Sequence, residues 1–293
     1  MPVFLKIPIG DYAERAVDWL TANFSGFFRG IKVGLESIID GIDWFLMLMP
    51  VVLFIIIIML LAWWLSGKGL AFFSGIGLLF IDNLELWNPA METLSLVLTA
   101  ALIAMVIGLP LGVLMSLNHR AEKILRPVLD FMQTMPAFVY LIPAVYFFDL
   151  GTVPGAVSTI IFAMPPIIRL TNLGIREVSK DLVEAARSFG STTAQMLFKI
   201  QIPLAMPTIL AGLNQTIMLS LSMVVISAMI GADGLGKIVL QGITQMKLGD
   251  GLEGGIAVVI IAMILDRLTQ ELGKENKKSG RMFVKLRLKK RNS

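Results

Sequence analysis

Residues 184–203 read EAARSFGSTTAQMLFKIQIP, a polar stretch set between two long apolar runs. Its local signals prescribe a helix, a turn and a second helix. Asp181 stands where it can cap the first helix with Glu184 at the third position, and Gly190 supplies the left-handed residue that ends it. Thr192 and Gln195 have capping-box spacing for the second helix, which Pro203 is expected to stop or kink. The result is a hairpin over 181–203. On its first arm Leu182, Ala185, Ala186 and Phe189 share one side, so small side chains surround an aromatic knob. That shape suits a groove on another protein. An ordinary loop between two membrane helices has the same spacing, and spacing alone leaves both open.

Composition decides where this hairpin sits. A hydrophobic fraction of 56% with 16% charged residues in 293 positions, and a mean hydropathy of +0.80, exclude an ordinary soluble globule. The chain is an all-α polytopic membrane protein. With no cysteine and a single histidine, His119, it offers neither thiolate nor histidine-cluster metal chemistry. No stretch near residue 1 reads as a cleavable signal. No GxxxxGK[ST] stretch is present, and Ser66-Gly67-Lys68-Gly69 lacks the upstream glycine, so any nucleotide hydrolysis has to belong to a partner. Gly231, Gly234 and Gly236 are wrongly spaced for a dinucleotide fingerprint and read as a tight external turn.

In chain order, residues 1–43 are too polar to span, yet Ala13, Val17, Leu20, Phe24, Phe27, Phe28 and Ile31 mark an amphipathic surface helix. Gly26, Gly30 and Gly34 recur at small-xxx-small spacing within it, suited either to close helix approach or to a flexible surface segment. An accessory pair of spans follows over 44–90: Phe45–Leu65, with Trp63 and Trp64 at an interface, and the shorter Leu70–Ile81. Five further spans are expected in a core over 91–270. These are 91–117 with a kink near Gly108, Pro110 and Gly112, 131–150 broken by Pro136 and Pro143, 153–170 ending at Pro165 and Pro166, 207–230, and one centred on 255–265. The total is about seven.

Lysine and arginine set the orientation. Arg120, Lys123 and Arg126 fall in one loop, Arg169, Arg176, Lys180, Arg187 and Lys199 flank the hairpin, and the tail over 271–293 is strongly basic. Those three regions are expected inside, which places the N-terminus outside and the C-terminus inside. The tail interleaves Lys and Arg with Met282, Phe283, Val284, Leu286 and Leu288, a pattern fit to bind anionic lipid at low ionic strength or simply to enforce topology. No deep span carries a clear acidic or basic relay, which argues against a proton-coupled carrier. Thr216, Ser220 and Ser227 share one face of the sixth span, with Asn214 and Gln215 near its inner entrance. Such residues either line a pathway or pack helices together. Phe138 and Tyr140, with Tyr146, Phe147 and Phe148, offer ring faces to a quaternary ammonium group or to lipid.

The sequence resembles the ABC importer permeases. Glu184, Ala185, Ala186, Gly190, Ile200 and Pro203 match the EAA loop of that family, with Ile202 where the family usually has leucine. The resemblance extends over roughly 10–270 through Gln133-Thr134-Met135-Pro136-Ala137-Phe138-Val139-Tyr140, Phe162-Ala163-Met164-Pro165-Pro166, Leu221-Ser222-Met223-Val224-Val225 and Gly234-Leu235-Gly236, which look like the glycine betaine/proline branch. It implies a type I ABC importer permease fold and a coupling role for Glu184, Ala185, Ala186, Phe189, Gly190, Ile200 and Pro203. It also implies a second permease copy, two cytoplasmic ATPase subunits that use MgATP, no cofactor bound by this chain, and an extracytoplasmic solute-binding protein. Some relatives fuse that binding protein to the permease; with this sequence ending at Ser293, a separate subunit is expected. The implied cargo is a compatible solute such as glycine betaine, proline betaine, carnitine or proline. A permease for another small osmolyte or amino acid is the alternative within the class; an ion-coupled carrier or a mechanosensitive channel is the alternative outside it.

The charge pattern predicts that a cysteine introduced at Ser188 reacts with an impermeant thiol reagent only from the cytoplasmic side, and one at Gly251 only from outside. The opposite pattern, or labelling of both from one side, overturns the orientation.

Overall fold

The protein is described by a computed structural model over residues 8–289, in which every regular element is helical. The basic side chains of the tail lie outside what is described. Helix α1 (Ile9–Leu48) is kinked at Phe24, and the chain then turns through 98° at Met49 and Pro50 into α2 (Val51–Ser66). Proline fits that corner because it pre-sets an extended entry and needs no N–H at the helix start. Gly67, at φ +96°, reverses the chain into α3 (Lys68–Asn83), which packs back along α2. Thus the SGKG stretch is a helix–helix turn.

The amphipathic segment does not end near residue 43. Its helix continues to Leu48 and its second half packs inward: Leu35, Ile39 and Leu46 are buried, and Ser95 donates to the Ile39 carbonyl at 2.8 Å. A Cβ on Gly26, Gly30 or Gly34 would meet nothing within 4 Å, so these glycines make no close helix contact within the chain.

Helix α4 (Trp87–Leu117) runs unbroken through Pro110. Helix α5 (His119–Thr134) is capped by the Asn118 side chain, and a 109° bend at Met135 and Pro136 leads through a 3₁₀ turn (Ala137–Tyr140) into the short α6 (Leu141–Phe148). Pro136 makes the expected break, whereas Pro143 lies in the first turn of α6, where no N–H is required. Helix α7 (Thr152–Arg176) passes straight through Pro165 and Pro166, contrary to the expected stop there. Both prolines are buried in a helix packed on two sides, and that packing outweighs the cost of about 3 kcal/mol for a helix-interior proline.

Helices α8 (Lys180–Ser188) and α9 (Thr193–Met196) form the hairpin, and a π turn (Leu197–Gln201) joins α9 to α10 (Ile202–Ala228). Helix α11 (Leu235–Thr244) follows a glycine turn that the sequence marked only as a turn, and α12 (Leu248–Lys289) closes the chain. Among the described residues four helical runs are long and apolar enough to cross a membrane: Trp87–Leu117, Thr152–Arg176, Thr193–Ala228 and Leu248–Gly273. Counting each bent pair, α1 with α2 and α5 with α6, as one span raises the number to six.

Helix α7 is central, lying along α4 on one side and α10 on the other. Glycines set both contacts. A Cβ on Gly112 would sit 2.6 Å from Thr171 Cβ and 2.7 Å from the Ile168 carbonyl oxygen, and one on Gly212 would sit 3.1 Å from Ile167 Cα. Carbon atoms pack best at about 3.5–4.0 Å, so no side chain fits between these backbones. Gly112→Ala is therefore expected to destabilise the protein by about 1–3 kcal/mol, while Gly26→Ala leaves it unchanged. Thermal unfolding of the detergent-purified protein distinguishes the two; equal midpoints would show that α4 and α7 are not in contact at Gly112.

Candidate functional site

The hairpin between α7 and α10 is built from two local terminations. The first arm starts two residues earlier than the sequence suggested: Ser179 is the N-cap, without a side-chain capping bond, and Asp181 falls inside the first turn. There its carboxylate still faces the positive end of the helix dipole. At the other end Gly190 adopts φ +76°, its N–H donates to the Arg187 carbonyl at 2.9 Å, and the Ser191 N–H donates to the Ala186 carbonyl at 3.0 Å. These two bonds define a Schellman motif, which needs the left-handed residue. Thr192 and Gln195 then cap α9 reciprocally, with Thr192 N–H to Gln195 Oε1 at 3.0 Å and Gln195 N–H to Thr192 Oγ1 at 3.3 Å. Pro203 neither stops the chain nor separates the arm from the span. The helical run continues from Thr193 to Ala228, with the π turn placed just before the proline, where the regular i→i−4 pairing loses a donor.

Of the apolar side on the first arm, only Ala186 is buried against the body. Leu182 and Ala185 are exposed, and Phe189 is 90% exposed at the tip, so the aromatic knob has nothing of its own chain beneath it. Ile200 is half-buried in the π turn and Pro203 is exposed. Glu184 faces a cavity of about 280 Å³ at the root of the hairpin, shared with Ser116, Arg176, Lys180, Arg187 and Gln201.

Beside that root lies an ionic hub that the sequence reading did not mark. Glu122 of α5, 7% exposed at its side chain, pairs with Arg176 of α7 at 2.7 Å and with Arg126 at 2.6 Å, and its other contact is His119 Nδ1 at 3.2 Å. Arg176 also donates to the Met115 carbonyl of α4 at 2.8 Å, and Arg169 pairs with Asp130 at 2.6 Å. Burial pushes the Glu122 carboxyl up, but the His119 hydrogen bond, the Arg176 and Arg126 charges and the Asn172 amide together hold it below the ordinary glutamate range. The i,i+4 spacing of Glu122 and Arg126 was a visible signal. The partner on α7 was not.

The pathway candidates do not converge. Thr216, Ser220 and Ser227 are fully buried: Ser220 donates to the Thr216 carbonyl of its own helix at 2.9 Å, and Ser227 Oγ lies 3.4 Å from Thr159 Oγ1 and from the Gly155 carbonyl of α7. This is helix packing. Tyr140 is buried, donates its hydroxyl to the Met132 carbonyl and sets its ring edge-on to Phe162 at 6.1 Å. Phe147 stacks on Phe28 at 4.3 Å, while Phe138 is exposed.

The profile of the family described as "Binding-protein-dependent transport system inner membrane component" matches residues 104–269, which include the whole hairpin. The chain belongs to this family. It is 54% identical to the glycine betaine transport system permease protein OpuAB of Bacillus subtilis (strain 168), over 94% of this chain and 98% of that protein. It is 53% identical to the glycine betaine/carnitine transport permease protein GbuB of Listeria monocytogenes, over 94% and 99%. Against the glycine betaine/proline betaine permease protein ProW of Escherichia coli (strain K12) the identity is 51%, over 94% of this chain and 77% of that protein. In fold it is similar to an inward-facing crystal form of the MetNI methionine ABC transporter, with a TM-score of 0.60 and 20% identity over 65% of this chain and 95% of that one. The binding-protein-dependent permease is a transport subunit, and its all-helical fold is similar to that of a type I ABC permease.

In this permease the depressed carboxyl of Glu122 contributes stability that is present above the unfolded value near 4.5 and lost as pH falls through the lower folded value. Glu122→Gln is accordingly expected to lower the thermal midpoint at neutral pH, and the gap to the parent protein should close as pH falls below the ordinary carboxylate range. A gap that is absent at neutral pH, or independent of pH, would show that the charge of Glu122 does not hold α5 to α7.

Proposed function

We propose that this chain is the membrane-spanning subunit of an ATP-driven importer of compatible solutes of the glycine betaine, proline betaine, carnitine or proline type. The observation that carries the reading is the joint presence of a capped hairpin with an unpartnered aromatic tip and identity above 50% to permeases named for those solutes. The sequence charge pattern supports an N-terminus outside and a C-terminus inside, with α3 counted as a seventh, short crossing of 16 residues, about 24 Å long. Two copies of this chain, two cytoplasmic ATPase subunits carrying MgATP and a separate extracytoplasmic binding protein would make up the complex in the cell membrane.

Phe189, with Leu182 and Ala185, is the knob we assign to a groove on the ATPase, while Ala186 anchors the arm to the permease and Glu184 faces the cavity behind it. Closure of the ATPases would drive the hairpin, and because α9 continues into α10, displacement at Thr193 is carried along a single helix into the membrane. For the pathway we retain Phe138, whose ring is free. Thr216, Ser220, Ser227 and Tyr140 serve it indirectly, by fixing the helices that border it.

The experiment is uptake of labelled glycine betaine into vesicles holding this chain, its ATPase and its binding protein. Uptake should require internal ATP and survive ionophores; the reverse dependence overturns the reading in favour of an ion-coupled carrier. Gly190→Val adds the site. A Cβ there meets nothing within 4 Å, so the cost is confined to the left-handed backbone, about 1–2 kcal/mol. The variant should insert and assemble, yet lose uptake and binding-protein-stimulated hydrolysis together. Both remaining at the parent level would remove the hairpin from the coupling path.

A further inference from the structure

A polar cluster joins α10 to α12 just above the hairpin end, in a contact otherwise made of Ile217, Leu221, Ile260, Ile261 and Ile264. Asp266 Oδ1 accepts from Asn214 Nδ2 at 2.8 Å and from Gln270 Nε2 at 2.7 Å, and the Thr269 hydroxyl reaches Asn214 Oδ1. All four side chains are half-buried. The carboxylate can only accept, so it fixes which way the Asn214 amide points, and the Thr269 hydroxyl takes up the other end. Asn214 is thus held at both its atoms by α12. On the hairpin side a cavity of about 320 Å³ borders the two helices, lined by Pro207, Leu210, Gln215 and Gly273 as well as by Asn214 and Thr269 of the cluster.

We propose that the Asn214–Asp266 cluster is a joint that makes α12 travel with α10 when the hairpin is displaced. The inference rests on the coupling role proposed for the hairpin and extends it to a second helix. Asn214 sits on the run that begins at Thr193, so any axial or lateral movement delivered there arrives at Asn214 first. Apolar packing alone lets helices slide at little cost in lipid, since lipid tails replace the lost contacts. A charge-assisted hydrogen bond with a fixed direction resists that sliding. Asn214 and Asp266 are accordingly positioning residues for transport, and neither needs to touch the solute.

The chain contains no cysteine, so an engineered pair reports cleanly. A Cβ on Gly273 lies 3.7 Å from Leu210 Cβ, within the range of about 3.5–4.5 Å found in disulfides. Leu210→Cys with Gly273→Cys therefore locks the two helices together at the edge of the cavity. In vesicles with the ATPase and the binding protein, labelled glycine betaine uptake and ATP hydrolysis are measured together, oxidised and reduced. The oxidised lock should keep uptake within about twofold of its reduced form, because helices that move as one body lose nothing by being tied. Asn214→Leu should reduce solute moved per ATP by about fivefold or more while the ATPase still copurifies, and the oxidised lock should restore it.

Loss of uptake in the locked protein overturns the joint, because α10 and α12 must then part during the cycle; so does a normal ratio in Asn214→Leu, or a failure of the lock to restore it. Should Asn214→Leu not assemble, Asn214→Asp, which sets two carboxylates face to face, takes its place. Adding Asp266→Asn to it rebuilds the same hydrogen bonds with the roles exchanged and should recover coupling; no recovery overturns the proposal. Absence of ATP-driven uptake by the unmodified chain would instead count against the function proposed above, so the two failures are separable.

Discussion

The structure depends on the approach of three helices at positions where there is no side chain. Between helices in a bilayer, lipid tails are as apolar as leucine, so burial gives little net drive and close van der Waals contact has to supply it. Gly108 and Gly112 bring α4 onto α7, and Gly155, Gly174 and Gly212 bring α7 onto α10, each where a Cβ would sit at or inside 3.1 Å of a neighbour. Hydroxyls fill what remains: Ser158 and Thr159 bond to carbonyls of their own helix, at 2.7 Å each, so they add polarity without needing a partner across the contact. The three-helix unit is closely fitted. The hairpin is its least buried part, and lies between the end of one of these helices and the beginning of another.

That placement gives the hairpin mechanical meaning. An arm whose only buried residue on the first helix is Ala186 can be displaced without disturbing a core, yet both of its ends run directly into α7 and α10. Pro203 makes the second of these connections possible in an unexpected way. Lacking an N–H, it interrupts the regular ladder, and the π turn ahead of it absorbs the change in pairing so that the helix axis continues. A break at this point would have isolated the arm from the membrane.

What was legible in the sequence was what local chemistry decides. Gly190 and the Thr192–Gln195 box act within one turn, and the structure shows each as read. The membrane class, the helical content and the permease family followed from apolar runs and from the hairpin motif. Span ends at prolines were misread, because Pro165 and Pro166 are kept helical by neighbours far away in sequence. Helix α11 was missed for a similar reason: Gly234 and Gly236 look like a turn, but Thr93 accepts the Leu235 N–H at 2.8 Å and starts a helix there, while a Cβ on Gly236 would lie 2.3 Å from the Val224 carbonyl oxygen. The polar face of α10 was visible at helical spacing, but only the packing of α7 against it decides that Thr216, Ser220 and Ser227 are interior.

The polar ties are distributed unequally between the two ends of the α7–α10 pair. Away from the hairpin, besides the Thr159–Ser227 contact at 3.4 Å and the Lys32–Asp149 ion pair at 2.9 Å, the ties involve the backbone: the Gly151 N–H donates to the Ile230 carbonyl at 2.9 Å, stitching the start of α7 to the end of α10, and Thr93 holds the next turn to α4. Backbone bonds of this kind are short-range and leave no slack. At the hairpin end the ties are side-chain ion pairs and amide bonds, Glu122 with Arg176 on the α7 side and Asp266 with Asn214 on the α10 side. Each arm of the hairpin therefore leads into a helix that is linked at one end through the backbone and at the other through a side-chain contact to a further helix, α5 or α12. On the coupling role proposed for the hairpin, a push there would tilt the pair about its backbone-tied end instead of separating it, and the outer helices would follow through the contacts nearest the push.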